Sequence, residues 1–484
     1  MNYRNQTTYY LLFLLCLCHS CSDFLEVEPD EQVSFDEQLS TKSGVLEAYS
    51  GIYRDIEDLI SSRYALYAEA LGGNIAFTPD NEDNEVNVSG QIADAYNFNS
   101  IAMDFEFEEY YDNSYDIINQ TNILLERLDS FSFFNNDELN QLEAELLTVR
   151  TFIHYQVALL FAQNYNFTAN ASHLGVVYNL STLEAGQDFP SRLSMAETYE
   201  NIQSDLDRAI SLFNDNQLLS GPNYSYFNSL TTKALYARIA LQMNDWDSAQ
   251  NVSDEVIENS GIALMSTTNY ISEWEKPVAP VSEIVIEFSA PLDSDGGVSS
   301  TISQFYDYSS PTIYAEHAAS GDVLNLYFEN DIRQNMFIEV DLDTNINGQL
   351  IPETYFFTKK FQDDAGTTYM RLSELYLIRA EANARLGNLN QALDDLNAIR
   401  TRAGLIALTD SSDILEEIFL ERRRELAFEN HLFFDILRYK KDVTRDEDCI
   451  ADVCNIAYPS NFFVQPIPFD SIEQNQNIEQ NEGY

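Results

Sequence analysis

Basic residues are scarce in this sequence. It holds 26 Lys and Arg against 79 Asp and Glu in 484 residues, so its formal charge is −53 at neutral pH. A protein that binds nucleic acid neutralises phosphates with a basic surface, and this composition excludes that function. The same excess of acid disfavours anionic membrane surfaces and polyanionic ligands.

Histidine, the residue that most often carries acid–base chemistry, occurs only five times. None of the five lies in an HExxH motif or beside a plausible nucleophile elbow, and the sequence contains no glycine-rich loop of the phosphate-binding type. The sequence therefore predicts no catalytic residue, no metal site and no cofactor. Paired carboxylates are uninformative among 79 acids, so a glycosidase stays open as an alternative at this point.

Long hydrophobic runs are also missing. The apolar run of residues 9–18 is shorter than the roughly 20 residues that a membrane-spanning helix needs. It follows one cation, Arg4, and is followed by a small residue and Cys21, as in a lipoprotein signal peptide. The sequence predicts that residues 1–20 are removed, that Cys21 is acylated, and that an acidic tether spans 21–42. An ordinary secretory signal with an incidental Cys is the alternative.

Cysteine is rare as well. Cys16 and Cys18 lie in the leader, and only Cys449 and Cys454 follow Cys21. In an oxidising compartment this nearby pair can close a small surface loop as a disulfide. A metal site is the alternative, but no His lies near the pair, so the disulfide is the prediction.

Amphipathic helices are what the sequence does contain. Residues 371–405 place apolar side chains at three- and four-residue steps on both sides of a Gly-Asn turn, which predicts two antiparallel helices. Ala380 and Ala392 are 12 residues apart, and Ala237 and Ala249 upstream repeat that spacing around another polar turn. This self-similarity resembles a tetratricopeptide helix pair, whose unit is about 34 residues. The predicted fold class is mainly α, with interrupted tetratricopeptide-like pairs forming a scaffold and a long insertion of irregular loops and short strands.

The segment 414–440 is predicted to form one long helix with a mixed-charge face. Charged residues are dense enough in this segment to suggest a functional site. Ion pairs between residues three or four positions apart on one helix explain them equally well, so a scaffold role is predicted. The residues concerned are Arg422, Arg423, Glu425, Glu429, Asp435 and Arg438. A capping box at Ser194 and Glu197 predicts the start of another helix. In the insertion, residues 283–288 read as a strand and Asn347-Gly348 as a hairpin turn.

Several segments together resemble the SusD/RagB family. They are the leader with CSDFLEVEP, RLSELYLIRAEANARLGN with ALDDLNAIRTRAGL, ERRRELAFENHLFFDILR, and the ending VQPIPFDSIEQNQNIEQNEGY. The resemblance runs in order along nearly the whole mature chain and is most specific in the C-terminal block. The chain departs from the family at Asn430 and Leu432, where Gly and Arg are usual, and at Phe433, which replaces a frequent Trp.

The resemblance implies a function. Members are outer-membrane lipoproteins that face the cell exterior, which fits a membrane anchor at Cys21, and they act as lids over a SusC-like TonB-dependent transporter. The ligand is usually a glycan, and in the RagB branch it is a peptide. A docking or gating subunit without strong glycan binding is a further alternative. The implied organisation is a single domain over 43–484, with helical scaffold at 43–260 and 367–440 and a variable ligand-binding insertion at 262–366.

Glycan binding asks for exposed aromatic rings flanked by polar side chains, because sugars present flat C–H faces and many hydroxyls. Two loop segments offer this combination, one just before a predicted helix and one within the insertion. The alternative for both is that their rings pack beneath the loops, and core packing is predicted for Trp274. The candidate ligand-binding residues are Tyr96, Asn97, Phe98, Asn99, Tyr306 and Tyr308.

Overall fold

The structure is a computed structural model that describes residues 35–184, 186–214, 216–275, 280–288, 301–363 and 366–484. The predicted signal peptide, Cys21 and most of the predicted tether lie outside the described residues. Residues 35–48 hold a four-residue helix and the start of the next helix, and a compact unit spans 49–484. None of the helices in the described ranges is long and apolar enough to cross a membrane.

Helices form most of the regular structure. The described α-helices are α1 Phe35–Gln38, α2 Lys42–Ile60, α3 Tyr64–Gly72, α4 Ala93–Tyr96, α5 Glu108–Glu126, α6 Asn136–Phe161, α7 Met195–Leu212, α8 Ser229–Gln242, α9 Trp246–Asn259, α10 Tyr270–Trp274, α11 Gly321–Leu324, α12 Leu372–Leu386, α13 Leu389–Arg402, α14 Ile414–Glu425, α15 Leu432–Arg438 and α16 Phe469–Gln474. The predicted capping box is confirmed, since the Ser194 hydroxyl accepts from the Glu197 backbone N–H at the start of α7.

The strands are short and pair two by two. Within the described residues they are β1 Ile75–Phe77, β2 Ile284–Phe288, β3 Tyr308–Ser310, β4 Ile313–Tyr314, β5 His317–Ala319, β6 Phe337–Ile346, β7 Gln349–Thr358, β8 Thr367–Arg371, β9 Val443–Thr444 and β10 Asn455–Ile456. The pairs are β1–β5, β2–β8, β3–β4, β6–β7 and β9–β10.

The β6–β7 hairpin is the longest of these pairs. It is in register from Phe337 opposite Thr358 to Ile346 opposite Gln349. Asn347 and Gly348 form the turn between the strands, with φ of 54° and 81°. Positive φ at both central residues suits Asn-Gly, which confirms the predicted hairpin turn.

Both predicted helix pairs are present, as α8–α9 and α12–α13. Ala237, Ala249, Ala380 and Ala392 are all fully buried, so the small residues lie where paired helices approach closely. α9 also packs against α12. The two pairs, which 112 residues separate in sequence, are therefore neighbours in one helical array.

The predicted long helix over 414–440 is wrong, because it breaks between α14 and α15. Phe428 and Asn430 adopt positive φ of 70° and 61° in the break. The Glu69 carboxylate of α3 accepts the backbone N–H groups of Phe428 and His431 at 2.9 and 3.0 Å, and the Asn430 side chain accepts from Ala68 N–H at 2.7 Å. Tertiary partners thus accept backbone N–H groups that carbonyl groups within a continuous helix would otherwise have bound.

The charged residues of this segment pair mainly with other elements. One predicted intrahelical pair exists, Asp435–Arg438 at 2.8 Å. Glu425, however, is fully buried and lies 2.6 Å from Arg371 of β8 and 2.5 Å from Arg402 of α13. The explanation by pairs three or four residues apart is therefore incomplete, and long-range ion pairs join α14 to the strands and helices around it.

The contribution of three buried histidines to the stability of the fold should fall as the pH falls from about 6.5. Burial lowers the pKa of His154 to about 3 and the pKa values of His317 and His431 to about 4, against 6.5 as the ordinary value. The neutral His154 ring accepts from Asn179 N–H at 3.0 Å while its other nitrogen donates to the Arg150 carbonyl at 2.8 Å. Below pH 6.5 the unfolded chain binds protons that the folded protein does not bind, so stability present above 6.5 is lost.

His154→Gln tests this dependence. Urea unfolding at pH 7, 6 and 5 should show a slope of the unfolding free energy against pH that is smaller in the variant by up to about 1.4 kcal/mol per pH unit, the effect of one proton. An equal slope in wild type and variant would mean that His154 titrates normally in the folded protein.

Candidate functional site

Three predicted ligand-binding rings lie in the core. Tyr96 and Tyr306 are each 1% exposed and Phe98 is 8% exposed. The guanidinium of Arg445 lies 4.1 Å from the centre of the Tyr96 ring, and the Tyr306 hydroxyl donates to the Ala65 carbonyl at 3.2 Å. Such rings have no free face for a sugar, so the structure favours packing beneath the loops over the predicted stacking role.

The two predicted asparagines differ in their surroundings. The Asn97 side chain donates to the Ala93 carbonyl at 2.8 Å and accepts from Asp452 N–H at 3.3 Å. Both ends of its amide therefore hold the loop together. Asn99 is exposed, so of the candidates on this loop it is the one placed to meet a ligand.

Tyr308 is half-buried and belongs to a cluster of aromatic rings at the surface of the insertion. It lies opposite Tyr314 in the β3–β4 pair. Its ring centre is 5.0 Å from that of Phe357, and the Tyr314 ring centre is 5.9 Å from the same Phe357. Tyr355, also half-buried, lies two residues before Phe357 on β7. We call Tyr308, Tyr314 and Tyr355 the tyrosine cluster.

Hydrogen bonds fix the orientation of the tyrosine cluster. The Tyr314 hydroxyl donates to the Pro79 carbonyl at 2.9 Å, and the Tyr355 hydroxyl lies 3.2 Å from the Thr344 hydroxyl. The Tyr308 backbone N–H donates to the Gln362 side chain at 3.0 Å. Rings held in this way keep part of their surface in solvent, which is the form that a sugar-stacking surface takes.

An acidic turn borders the tyrosine cluster. The Asp80 carboxylate accepts the backbone N–H groups of Glu82 and Asp83 at 2.8 and 2.9 Å, and these bonds lower its pKa. Burial raises the pKa of Tyr314, and Tyr355 and Asp80 raise it further, as expected of groups that lie near one another. The site thus combines half-exposed rings with carboxylate acceptors, which can bind a hydroxyl-rich ligand.

The tip of the β6–β7 hairpin holds the acidic turn in place. Asn345 N–H donates to the Asn84 carbonyl at 2.7 Å, and the Asn345 side chain donates to the Asp83 carbonyl at 3.3 Å. No group of three or more His, Cys, Asp or Glu in the described part of the chain is arranged to hold a metal ion, and this includes the acidic turn.

Sequence reasoning missed Tyr314 and Tyr355. Tyr314 lies six residues after Tyr308, and a hairpin between them was not recognised. Tyr355 joins the cluster only because the β6–β7 hairpin packs against the β3–β4 hairpin. No pattern in the sequence indicates that contact.

Cys449 and Cys454 form a disulfide. The loop that it closes lies against the segment that holds Tyr96, because the Arg445 guanidinium donates to the Tyr96 carbonyl at 2.9 Å and to the Val453 carbonyl at 2.5 Å. The disulfide therefore helps to hold the buried segment around Tyr96 in place.

Two family models match the chain. One, described as the SusD family, matches residues 352–484, and the other, described as starch-binding associating with outer membrane, matches residues 23–241. A SusD-like protein of Formosa agariphila is 19% identical over 99% of this chain and 98% of its own length. The starch-binding protein SusD of Bacteroides thetaiotaomicron is 32% identical, over 25% of this chain and 22% of its own length.

Solved structures share the fold. A SusD superfamily protein of Bacteroides thetaiotaomicron has a TM-score of 0.78 and 25% identity, over 91% of this chain and 99% of that one. A protein of Bacteroides vulgatus described as a putative sugar-binding protein has a TM-score of 0.77 and 23% identity, over 91% of this chain and 98% of that one. Each alignment covers 91% of this chain.

Proposed function

Because this chain belongs to the SusD/RagB family, we propose that it is a non-enzymatic glycan-binding protein of the outer membrane that passes oligosaccharide to a SusC-like TonB-dependent transporter. The tyrosine cluster is the observation that supports glycan binding at this site. Its three half-buried rings come from two hairpins of the insertion, and the Asp80 carboxylate lies near Tyr314 as an acceptor for ligand hydroxyls.

The proposal includes the organisation of the chain. Residues 1–20 are the signal peptide, Cys21 carries the lipid, and the protein faces the cell exterior. The segment 262–366 is the ligand-binding insertion, and the helices of 43–260 and 367–440 are the scaffold that supports it. The tyrosine cluster falls within this insertion, as a ligand site there requires.

Peptide capture is the second candidate function. A peptide-binding cleft offers backbone donors and acceptors rather than aromatic surfaces. The tyrosine cluster favours sugar over peptide for that reason. A docking subunit that only gates the transporter would not need these rings to be exposed.

The double variant Tyr308→Ala and Tyr314→Ala should abolish glycan binding, since it removes two of the three rings. The measurement is affinity electrophoresis of the chain from Ser22 onward through native gels that contain one polysaccharide each. Neither substitution changes the charge, so mobility without polysaccharide is unaffected. One neutral polysaccharide should retard the wild type and leave the double variant unretarded.

Tyr224→Ala is the matched control, because Tyr224 is half-buried but belongs to the helical scaffold. It should be retarded like the wild type. Retardation of the double variant would move the site elsewhere, toward Asn99 first. If no glycan retards the wild type, peptide capture or docking replaces the proposal, and release of reducing ends from a glycan would establish an enzyme instead.

A further inference from the structure

The Cys449–Cys454 disulfide lies in a loop that joins two parts of the molecule. Residues 445–454 connect β9 to β10, which pair with Asn455 opposite Thr444. We call residues 445–454 the disulfide loop. One side of the disulfide loop is bound to the insertion, and the other is bound to the end of α4.

The insertion binds the residues that precede Cys449. The Asp448 carboxylate accepts from Gly321 N–H at 2.7 Å, and the Asp322 carboxylate accepts from Asp446 N–H at 3.0 Å. The two backbones approach so closely that a Cβ atom added to Gly321 would lie 2.8 Å from the Cβ atom of Glu447, a separation that real Cβ atoms do not show. The contact therefore depends on glycine at position 321.

The end of α4 binds the disulfide loop at two other points. The Arg445 guanidinium donates to the Tyr96 carbonyl, as described above, and Asp452 N–H donates to the Asn97 side chain at 3.3 Å. Asp452 lies between the two cysteines, whereas the residues bound to the insertion precede the first of them. The disulfide therefore fixes the insertion contacts relative to the α4 contacts.

The corner of the insertion at Gly321 is close to the tyrosine cluster. Gly321 lies two residues after the end of β5, and β5 packs against β7, which carries Tyr355. Burial raises the pKa of Tyr355, and the carboxylates of Glu353 and Asp448 raise it further, as expected of groups that lie near one another. A shift of this corner would therefore change the surroundings of Tyr355.

We propose that the Cys449–Cys454 disulfide positions Tyr355 for glycan binding, because it holds the corner at Gly321 against the end of α4. This inference rests on the proposed glycan-binding function and assigns control of its affinity to a residue pair outside the insertion. Without the disulfide, the loop between the two sets of contacts gains conformational freedom. The binding-competent fraction of molecules then falls, and the measured Kd rises by the inverse of that fraction.

Reduction of the disulfide is the first test. The chain from Ser22 onward contains no cysteines other than Cys449 and Cys454, so dithiothreitol acts on this disulfide alone. The reagent converts the disulfide to two thiols and is itself oxidised to a cyclic disulfide. Isothermal titration uses an oligosaccharide of the polysaccharide that retards the wild type. Its Kd should rise on reduction, about fivefold if about one molecule in five keeps the corner in place.

The double variant Cys449→Ser and Cys454→Ser is the control for the reagent. It should show the higher Kd both with and without dithiothreitol. All titrations are made well below the unfolding temperature of each form, which thermal unfolding establishes, so loss of folded protein does not contribute to Kd.

Tyr355→Ala distinguishes positioning of this ring from a general structural role. The variant should bind more weakly than the wild type, and dithiothreitol should not weaken it further, because the ring through which the disulfide acts is absent. Non-additivity of this kind indicates that two changes act through a shared contact.

Gly321→Ala tests the contact without altering the cysteines. The added Cβ atom meets Glu447, so the disulfide loop leaves the corner and Kd should rise as it does on reduction. Gly90→Ala is the matched control, because a Cβ atom there has no neighbour within 4 Å and its φ lies outside the left-handed region. Gly90→Ala should leave Kd unchanged.

Substitutions of Asp448 separate its hydrogen bond from its charge. Asp448→Ala removes the acceptor for Gly321 N–H and should raise Kd. Asp448→Asn retains an oxygen acceptor and tolerates the φ of 64° at this position, so it should keep the Kd of the wild type.

Other results would overturn the positioning role. An equal Kd for the oxidised and reduced wild type would do so while leaving glycan binding at the tyrosine cluster intact. A rise of Kd on reduction that persists in Tyr355→Ala would show that the disulfide acts through another part of the protein. Failure of the wild type to bind any glycan would remove the proposed function and this inference together.

Discussion

Replacing Glu425 with Ala should lower the free energy of unfolding by about 3–5 kcal/mol, the cost of removing one partner from a buried ionic group. The Glu425 side chain is fully buried and contacts Arg333 at 2.9 Å, Arg371 at 2.6 Å and Arg402 at 2.5 Å. Without it, three guanidinium groups from three different elements lose a shared carboxylate in a region that water does not reach.

The pH dependence of this effect has a definite sign. Burial raises the pKa of Glu425, but Arg402, Arg371 and Arg333 outweigh burial and hold that pKa well below its ordinary value of 4.5. The stabilisation is therefore present above pH 4.5 and is lost as the pH falls through the depressed pKa. The difference between wild type and variant should shrink in acid.

The matched control is Glu416→Ala on the same helix. Glu416 pairs with Lys441 at 2.6 Å, but the two side chains are 49% and 34% exposed. An exposed pair contributes about 0–1 kcal/mol because water and salt screen it. Urea unfolding of both variants at pH 7 makes the comparison, and equal destabilisation would contradict the assigned role of the buried network.

Tyr306→Ala should destabilise the protein by about 3–5 kcal/mol, as large-to-small changes of buried aromatic residues do. Its ring is 1% exposed and packs 5.6 Å from Phe428 and 5.9 Å from Phe361, centre to centre. The effect is expected in thermal and urea unfolding. It separates a core residue from the proposed ligand-binding residue two positions away, Tyr308.

Two further variants complete this test. Tyr306→Phe removes only the hydroxyl that donates to the Ala65 carbonyl, so it should cost about 1 kcal/mol and leave glycan affinity unchanged. Tyr308→Ala changes a half-exposed ring, so it should weaken glycan binding with a smaller loss of stability. A loss of affinity in Tyr306→Phe at unchanged stability would return Tyr306 to the binding site.

Local sequence determined the elements whose causes are local. Asn347-Gly348 tolerates the positive φ of a tight turn, and Gly387, with φ of 83°, ends α12 where the turn of the repeat was predicted. The spacing of four alanines predicted two close helix pairs. Each of these features depends on residues that are a few positions apart. The sequence alone is therefore enough to predict them.

Contacts between distant segments decided the candidate site. A half-exposed Tyr308 and a buried Tyr306 look alike in sequence, because both are aromatic residues among polar neighbours. Which ring turns to the core depends on Ala65 and Phe428, which lie more than one hundred residues away on either side. Strand alternation would place two residues that are two positions apart on the same face, but Tyr306 precedes β3 and Tyr308 begins it. The two rings therefore meet different surroundings only once those distant partners are in place.

Composition and the family pattern were readable from the sequence alone: an acidic chain unfit for nucleic acid, mainly helical, with paired repeats and a C-terminal block typical of SusD/RagB proteins. The tertiary structure decided the rest. It joined α9 to α12, broke the charged helix where Glu69 takes over its backbone N–H groups, and gathered Tyr308, Tyr314 and Tyr355. The physical reason is that periodicity and capping act over one turn or one hairpin, whereas burial and ion pairing act between segments that only folding brings together.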